Sequence, residues 1–304
     1  MKSVRNWSRI GAAVLGAALF ASPAAMAESP VPSQEAWAEA KERAPAGTGV
    51  ELAYVRMGAA EGKPLVLIHG YSDNSRSWSL LAPHLADRPL YAIDLRGHGQ
   101  SDAPVCCYGV DTLAADVAGL METLEIERAD VIGHSLGAIT AGVLAATRPE
   151  KVDRLVLVSA ALNVDAGPGS WLWENVRALS EPIDPAGAFM ADWYWNPNPV
   201  DAAFLDREIV ESAAMPVHAW NGVLEGLAIL DWTPLAAAIE APTLILWGDE
   251  DGLFDVDSQE RLRTALPRAR FEAFEGFGHN MFWETPEQAA SVINAFLGEQ
   301  ASSE

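Results

Sequence analysis

Cysteine is almost missing from this sequence: 304 residues contain two, Cys106 and Cys107, and they are neighbours. Adjacent thiols fit no zinc-ligand spacing, and no other His, Cys or carboxylate cluster does either, so no metal is expected. In an oxidising compartment the pair could close a strained vicinal disulfide; otherwise it is two free thiols in a loop, and either state is structural. Positive charge is scarce too, with 20 Lys and Arg against 42 Asp and Glu and a formal charge of −22. A field of that sign repels phosphate backbones and anionic bilayers, which argues against nucleic acid and membrane surfaces as partners. A lysine-bearing phosphate loop is absent. The one approximation to a dinucleotide fingerprint, Gly97-His98-Gly99, lacks its third glycine because Asp102 stands there. No nucleotide cofactor is expected. Long apolar runs are missing as well; the run from Ile10 to Phe20 is too short for a hydrocarbon layer of ~30 Å.

What is present is a globular chain, half of it hydrophobic, long enough for one large α/β domain with an insertion. Lys2, Arg5 and Arg9 precede the short apolar run, and Ala25-Met26-Ala27 ends it with small residues. This is the layout of a secretion signal, so residues 1–27 are expected to be removed and the mature protein to be periplasmic or secreted. Residues 28–48 read as a polar extension with a helical patch over 34–43, packed loosely on the domain. Strand-length apolar runs follow at 64–68, 90–93, 129–132, 155–158 and 243–247, as in a parallel sheet buried on both faces, and a last strand is expected at 270–274. Helical patterns over 77–86, 110–124, 136–147 and 286–297 separate them, which predicts a doubly wound α/β domain over 49–160 and 242–300. Residues 161–241 interrupt the rhythm with six tryptophans and several prolines. They read as a helical cap over one end of the sheet.

Gly133-His134-Ser135-Leu136-Gly137 sits between an apolar strand and a helix. A serine on so sharp a turn is strained and needs glycines two positions to either side, where side chains would collide. This places a nucleophile at the carboxyl end of a strand, with the helix N-terminus favouring negative charge. On these residues the chain, from about Val50 to Leu297, resembles the α/β-hydrolase superfamily, and within it the small capped esterases, enol-lactonases and cofactor-free haloperoxidases. The resemblance implies the α/β-hydrolase fold and an acyl-enzyme formed on Ser135. Haloalkane dehalogenases and most epoxide hydrolases carry Asp at the elbow, so serine disfavours their chemistry here.

The same resemblance makes the amide of Tyr71, in His69-Gly70-Tyr71, one oxyanion donor, and the elbow argument makes that of Leu136 the other. His69 reads as a supporting histidine. The sequence Asp94 to Ser101 resembles a structural loop of the family in which Asp94 and Arg96 pair or satisfy backbone groups. His279, in Gly276-Phe277-Gly278-His279-Asn280, follows the last strand and completes the chain order Ser, Asp, His. Of six histidines it alone suits the general base. Its partner acid is expected in Trp247-Gly248-Asp249-Glu250-Asp251. Asp251 matches the family position, with Asp249 and Asp255 as alternatives. Trp78, Trp193 and Trp220 are candidate substrate contacts, although packing is the commoner role of such tryptophans. Ser72, Asp73 and Arg76 are further candidates for tuning substrate polarity. The expected activity is ester hydrolysis on a small molecule. Lactonase, amide or carbon–carbon hydrolysis and perhydrolysis use the same triad, and a non-catalytic binding protein is the alternative of another class.

Overall fold

The computed structural model describes residues 31–299. The expected signal, residues 1–27, lies outside the described residues. Eight strands form one sheet: β1 (Lys41–Pro45), β2 (Glu51–Gly58), β3 (Leu65–Ile68), β4 (Pro89–Ile93), β5 (Ala129–His134), β6 (Val152–Val158), β7 (Thr243–Gly248) and β8 (Arg270–Phe274). Their order is β1-β2-β4-β3-β5-β6-β7-β8, antiparallel through β1, β2 and β4 and parallel from there on. Strands β3, β4, β5 and β7 are buried at every position, which is why they read as unbroken apolar runs. Because β4 and β5 flank β3 on opposite sides, the order reverses at β3, and the loops leaving β3 and β5 diverge over the carboxyl edge. Such a reversal opens a crevice where α/β proteins bind ligands.

Helices α1 (Val110–Thr123) and α2 (Leu136–Thr147) precede β6, and α8 (Val256–Ala265), α9 (Met281–Glu284) and α10 (Pro286–Gly298) follow β7. In α2 every residue from 136 to 145 is buried, so this helix is apolar all round and sits in the core. Between β6 and β7 lie α3 (Trp171–Arg177), α4 (Ala188–Trp193), α5 (Ala202–Ala213), α6 (Val217–Ala228) and α7 (Thr233–Ala236). Trp220 and Trp232 are buried within this insertion, whereas Trp171 and Trp195 are exposed. Among the described residues no helix is long and apolar enough to cross a membrane.

Two local expectations are corrected. The patch at 34–43 is not a helix: residues 34–40 are turns and Lys41–Pro45 is an edge strand paired with β2. Nor is it loose, since Trp37 is fully buried and its Nε1 donates to Ser75 Oγ at 3.1 Å. The sheet therefore begins before residue 49. The helix expected over 77–86 is replaced by two short 3-10 turns, Ser75–Trp78 and Ala82–His84. Asn74 caps the first by accepting from the Arg76 amide at 3.0 Å, and Pro83 in the second cannot donate a helical hydrogen bond.

Candidate active site

Strand β5 ends at His134, and the next residue, Ser135, has φ of 51° and ψ of −116°, forbidden to most side-chain-bearing residues. The turn is held from outside: the Ser135 amide donates to the Val158 carbonyl at the end of β6, at 2.9 Å. A Cβ on Gly133 would lie 2.2 Å from the Gly137 carbonyl oxygen, and one on Gly137 would lie 2.1 Å from that of Ile68. Both glycines are therefore steric requirements of the elbow, as the motif implied. Ser135 lines a cavity of about 210 Å³ together with Tyr71, Leu136, Ile139, Trp193 and Phe254. Leu136 opens α2, where an amide has no acceptor inside its own helix.

The other half is built at the ends of β7 and β8. Gly248 closes β7 so tightly that a Cβ there would lie 2.2 Å from the Phe277 carbonyl oxygen, so its absence lets the loop after β8 settle against β7. On that loop His279 Nδ1 meets Asp251 Oδ2 at 2.8 Å. The other Asp251 oxygen accepts from the amides of Leu253 (2.8 Å) and Phe254 (3.0 Å). A carboxylate can only accept, so Nδ1 donates and the neutral ring keeps its Nε2 lone pair. The His279 carbonyl is fixed as well, accepting from Ser159 Oγ at 2.7 Å and from His134 Nε2 at 3.2 Å. His279 lines a second hollow that shares Trp171, Trp193, Gly252 and Leu253 with the Ser135 cavity, so the two adjoin.

The competing acids are occupied elsewhere. Asp249 accepts from the Gly276 amide at 2.6 Å, and Asp255 caps α8 through the Ser258 amide at 2.9 Å. Three of the competing histidines are unsuited to proton transfer. Burial lowers the pKa of His98 to about 3 and also depresses those of His69 and His134. His69 bridges the Gly70 carbonyl (2.7 Å) and the Leu95 amide (2.9 Å), a supporting role. Asp94 and Arg96 do not pair with each other: Asp94 binds Lys41 at 2.8 Å, and Arg96 Nη2 binds Asp116 at 2.6 Å.

Of the three tryptophans expected near substrate, Trp193 alone lines the cavity. Trp78 is buried against Phe282, ring centroids 4.8 Å apart, and Trp220 is buried behind Tyr71 at 5.0 Å. Trp171, Leu253 and Phe254 line the cavity without having been singled out. Leu253 and Phe254 lie two and three positions after Asp251, and that proximity was the one clue to them. Ser72, Asp73 and Arg76 bond to the inserted helices and are not part of the cavity lining. Cys106 and Cys107 are free, exposed thiols outside both hollows. Among the described residues no three His, Cys, Asp or Glu side chains converge to hold a metal ion.

Comparison with known proteins agrees with this architecture. A family profile described as alpha/beta hydrolase fold matches residues 63–286. An AB hydrolase superfamily protein of Bacillus subtilis is 31% identical over 253 residues, 77% of this chain and 91% of the relative. The 2-hydroxy-6-oxononadienedioate/2-hydroxy-6-oxononatrienedioate hydrolase of Paraburkholderia phymatum is 28% identical over 271 residues, 83% of this chain and 93% of its own. Among solved structures, an esterase from Rhodococcus sp. superposes with a TM-score of 0.76 at 26% identity, covering 86% of this chain and 100% of that one. By sequence and by structure, the chain belongs to the α/β-hydrolase fold family.

Proposed function

We propose that this chain is an exported serine hydrolase that cleaves carboxylic esters through an acyl-enzyme on Ser135, without metal or cofactor. The observation that carries the reading is the pairing of a strained serine, facing a cavity, with an Asp251–His279 couple on the adjoining wall. His279 Nε2 takes the Ser135 proton as Oγ attacks the ester carbonyl, and Asp251 stabilises the imidazolium that forms. The amides of Tyr71 and Leu136 hold the oxyanion, each donor being worth ~10²–10³ in rate. His279 then returns the proton to the leaving alcohol, and water activated by the same imidazole releases the acid.

The inserted helices act as a cap whose Trp171, Leu172, Trp193 and Leu227 form an apolar wall of the cavity. Asp165 is the one ionisable side chain there besides Tyr71. No Lys or Arg lines this cavity or its neighbour, which favours uncharged, aromatic esters over diacids like the one in the Paraburkholderia enzyme's name. Lactones present the same carbonyl to the same groups and are the next substrates to try. The test is Ser135→Ala in the purified mature protein. We expect a folded variant that a fluorophosphonate no longer labels and whose esterase turnover falls by at least ~10⁴. Retention of a tenth of the wild-type rate would overturn the assignment.

A further inference from the structure

Three consecutive residues after β3 are each held by the inserted helices. The Tyr71 hydroxyl donates to the Trp220 carbonyl on α6 at 2.5 Å. Ser72 Oγ accepts from Trp193 Nε1, at the end of α4, at 2.8 Å. Asp73 Oδ1 accepts from the Tyr194 hydroxyl, one residue further on, at 3.1 Å. All three loop residues are buried. On its other side the same run abuts the elbow: Asp73 Oδ2 lies 3.7 Å from His134 Nδ1, on the residue before Ser135. A Cβ on Gly70 would lie 2.7 Å from that ring nitrogen, so the loop cannot back away from its present path without opening this contact.

This grip is applied where the backbone resists it. Ser72 has φ of 68°, in the left-handed region that a residue other than glycine, asparagine or aspartate seldom occupies. Such a conformation persists only where its surroundings over-determine it. If Ser72 relaxed to a negative φ, the Tyr71–Ser72 peptide would turn, and the Gly70–Tyr71 peptide that carries the donor N–H, one plane before it, would lose its fixed neighbour. An error of ~1 Å in such a donor can cost ~10²-fold in rate.

We propose that Trp193 and Tyr194 are positioning residues for the oxyanion turn. By bonding Ser72 and Asp73 they hold the Tyr71 amide in line with the developing negative charge. The cap therefore contributes to the rate of the chemical step as well as to the shape of the cavity. This inference rests on the serine-hydrolase reading above, and within it on Tyr71 as a donor.

The test compares Trp193→Phe, which keeps a ring in the cavity wall and loses the donor, with Tyr194→Phe, which loses only a buried hydroxyl. Active sites are titrated with a fluorophosphonate, so that kcat refers to folded, competent protein. We expect kcat per titrated site to fall ~10-fold in each variant while KM changes less than ~2-fold, because a misplaced oxyanion donor weakens the transition state and spares ground-state binding. Affinity for phenylboronic acid, whose serine adduct occupies the oxyanion site, should fall with kcat. Inhibition by the product alcohol should not change. Ser72→Ala should cost at least as much as Trp193→Phe, because Ser72 Oγ also lies 3.5 Å from the Tyr194 hydroxyl, and adding Trp193→Phe to Ser72→Ala should lower kcat no further, since the bond it breaks is already gone. A purely structural role would lower the titratable fraction and the melting temperature but leave kcat per site and boronate affinity within 2-fold of wild type. That result overturns the proposal while leaving the serine-hydrolase reading intact. A wild-type protein that neither labels nor hydrolyses esters overturns both.

Discussion

Asp251 spends both carboxylate oxygens inside the protein, one on His279 and one on two backbone amides. Replacing it by Asn keeps the shape but can put an amide N–H where the imidazole needs an acceptor. We expect Asp251→Asn to lower turnover ~10²–10⁴-fold, and Asp249→Asn less than ~10-fold, since Asp249 reaches only the Gly276 amide. Rates of both variants, once circular dichroism shows them folded, check this; the opposite ranking would transfer the acid role to Asp249. Glu208 on α5 poses a different question, because it is fully buried and neither of its oxygens has a partner among the described residues. Burial, reinforced by the charges of Asp73 and Glu211, raises its pKa well above the ordinary 4.5. The native state thus keeps a proton that the unfolded chain releases, so this contribution is fully present below the ordinary value and is lost as pH rises towards the folded one. Glu208→Gln is neutral at every pH and should remove that slope. Urea midpoints should show it more stable than wild type at pH 8 and close to wild type near pH 4; equal differences at both would mean that Glu208 is ionised in the fold. The proposed triad could be drawn from the sequence because each candidate member carries a local signature: a glycine-flanked turn, a strand exit, a loop before a terminal helix. The bond from Trp193 to Ser72 has no such signature. Its partners lie 121 positions apart, and only tertiary packing brings an indole to that hydroxyl.

At the scale of single elements, β1 shows why the amino-terminal region was misread. Lys41–Pro45 has one buried residue, so it displays no apolar periodicity. It is a strand because β2 offers an unpaired edge, and its charged side chains suit an outermost position. Lys41 nevertheless runs inward to Asp94, and both side chains are almost wholly buried. Burial alone would raise the Asp94 carboxyl, but Lys41 and the Gln100 amide more than offset it and hold the pKa below the usual value. Removing the ammonium strands a buried charge that also holds the Ser75 and Gln100 amides. Lys41→Ala should therefore destabilise the protein by about 3–5 kcal/mol, the usual cost of breaking a buried pair. Denaturant unfolding measures it, and a change below about 1 kcal/mol would mean that water reaches Asp94 in its place. The sheet core from β3 to β7 was readable because strands covered on both faces must be apolar at nearly every position. The turns at 75–84 were not, since serines, Asn74 and Pro83 set their shape through caps and missing donors that a hydrophobic pattern does not record.

For the whole molecule, the proposal of export rests on the amino-terminal pattern: three charges before residue 28, all positive, ahead of a short apolar run in a chain of net charge −22. We expect amino-terminal sequencing of exported protein to begin at Glu28, and a retained Met1 in a cytoplasmic fraction would remove the case for export. The division into core and cap follows from one interruption of the strand rhythm, and the family's layered plan makes such an interruption visible. What the covering segment does to the core was not visible, because its three ties to residues 71–73 depend on how α4 and α6 come to rest. Those ties bear on how a lineage can alter its diet. One uses a main-chain carbonyl that almost any residue at position 220 could supply, but the other two need an indole and a phenol in succession. Shuffling lids between related chains to reach new substrates would thus leave the recipient's turn unsupported unless the donor lid brought both rings. The heritable cassette here is the lid together with three residues that lie some ninety positions before it in the chain.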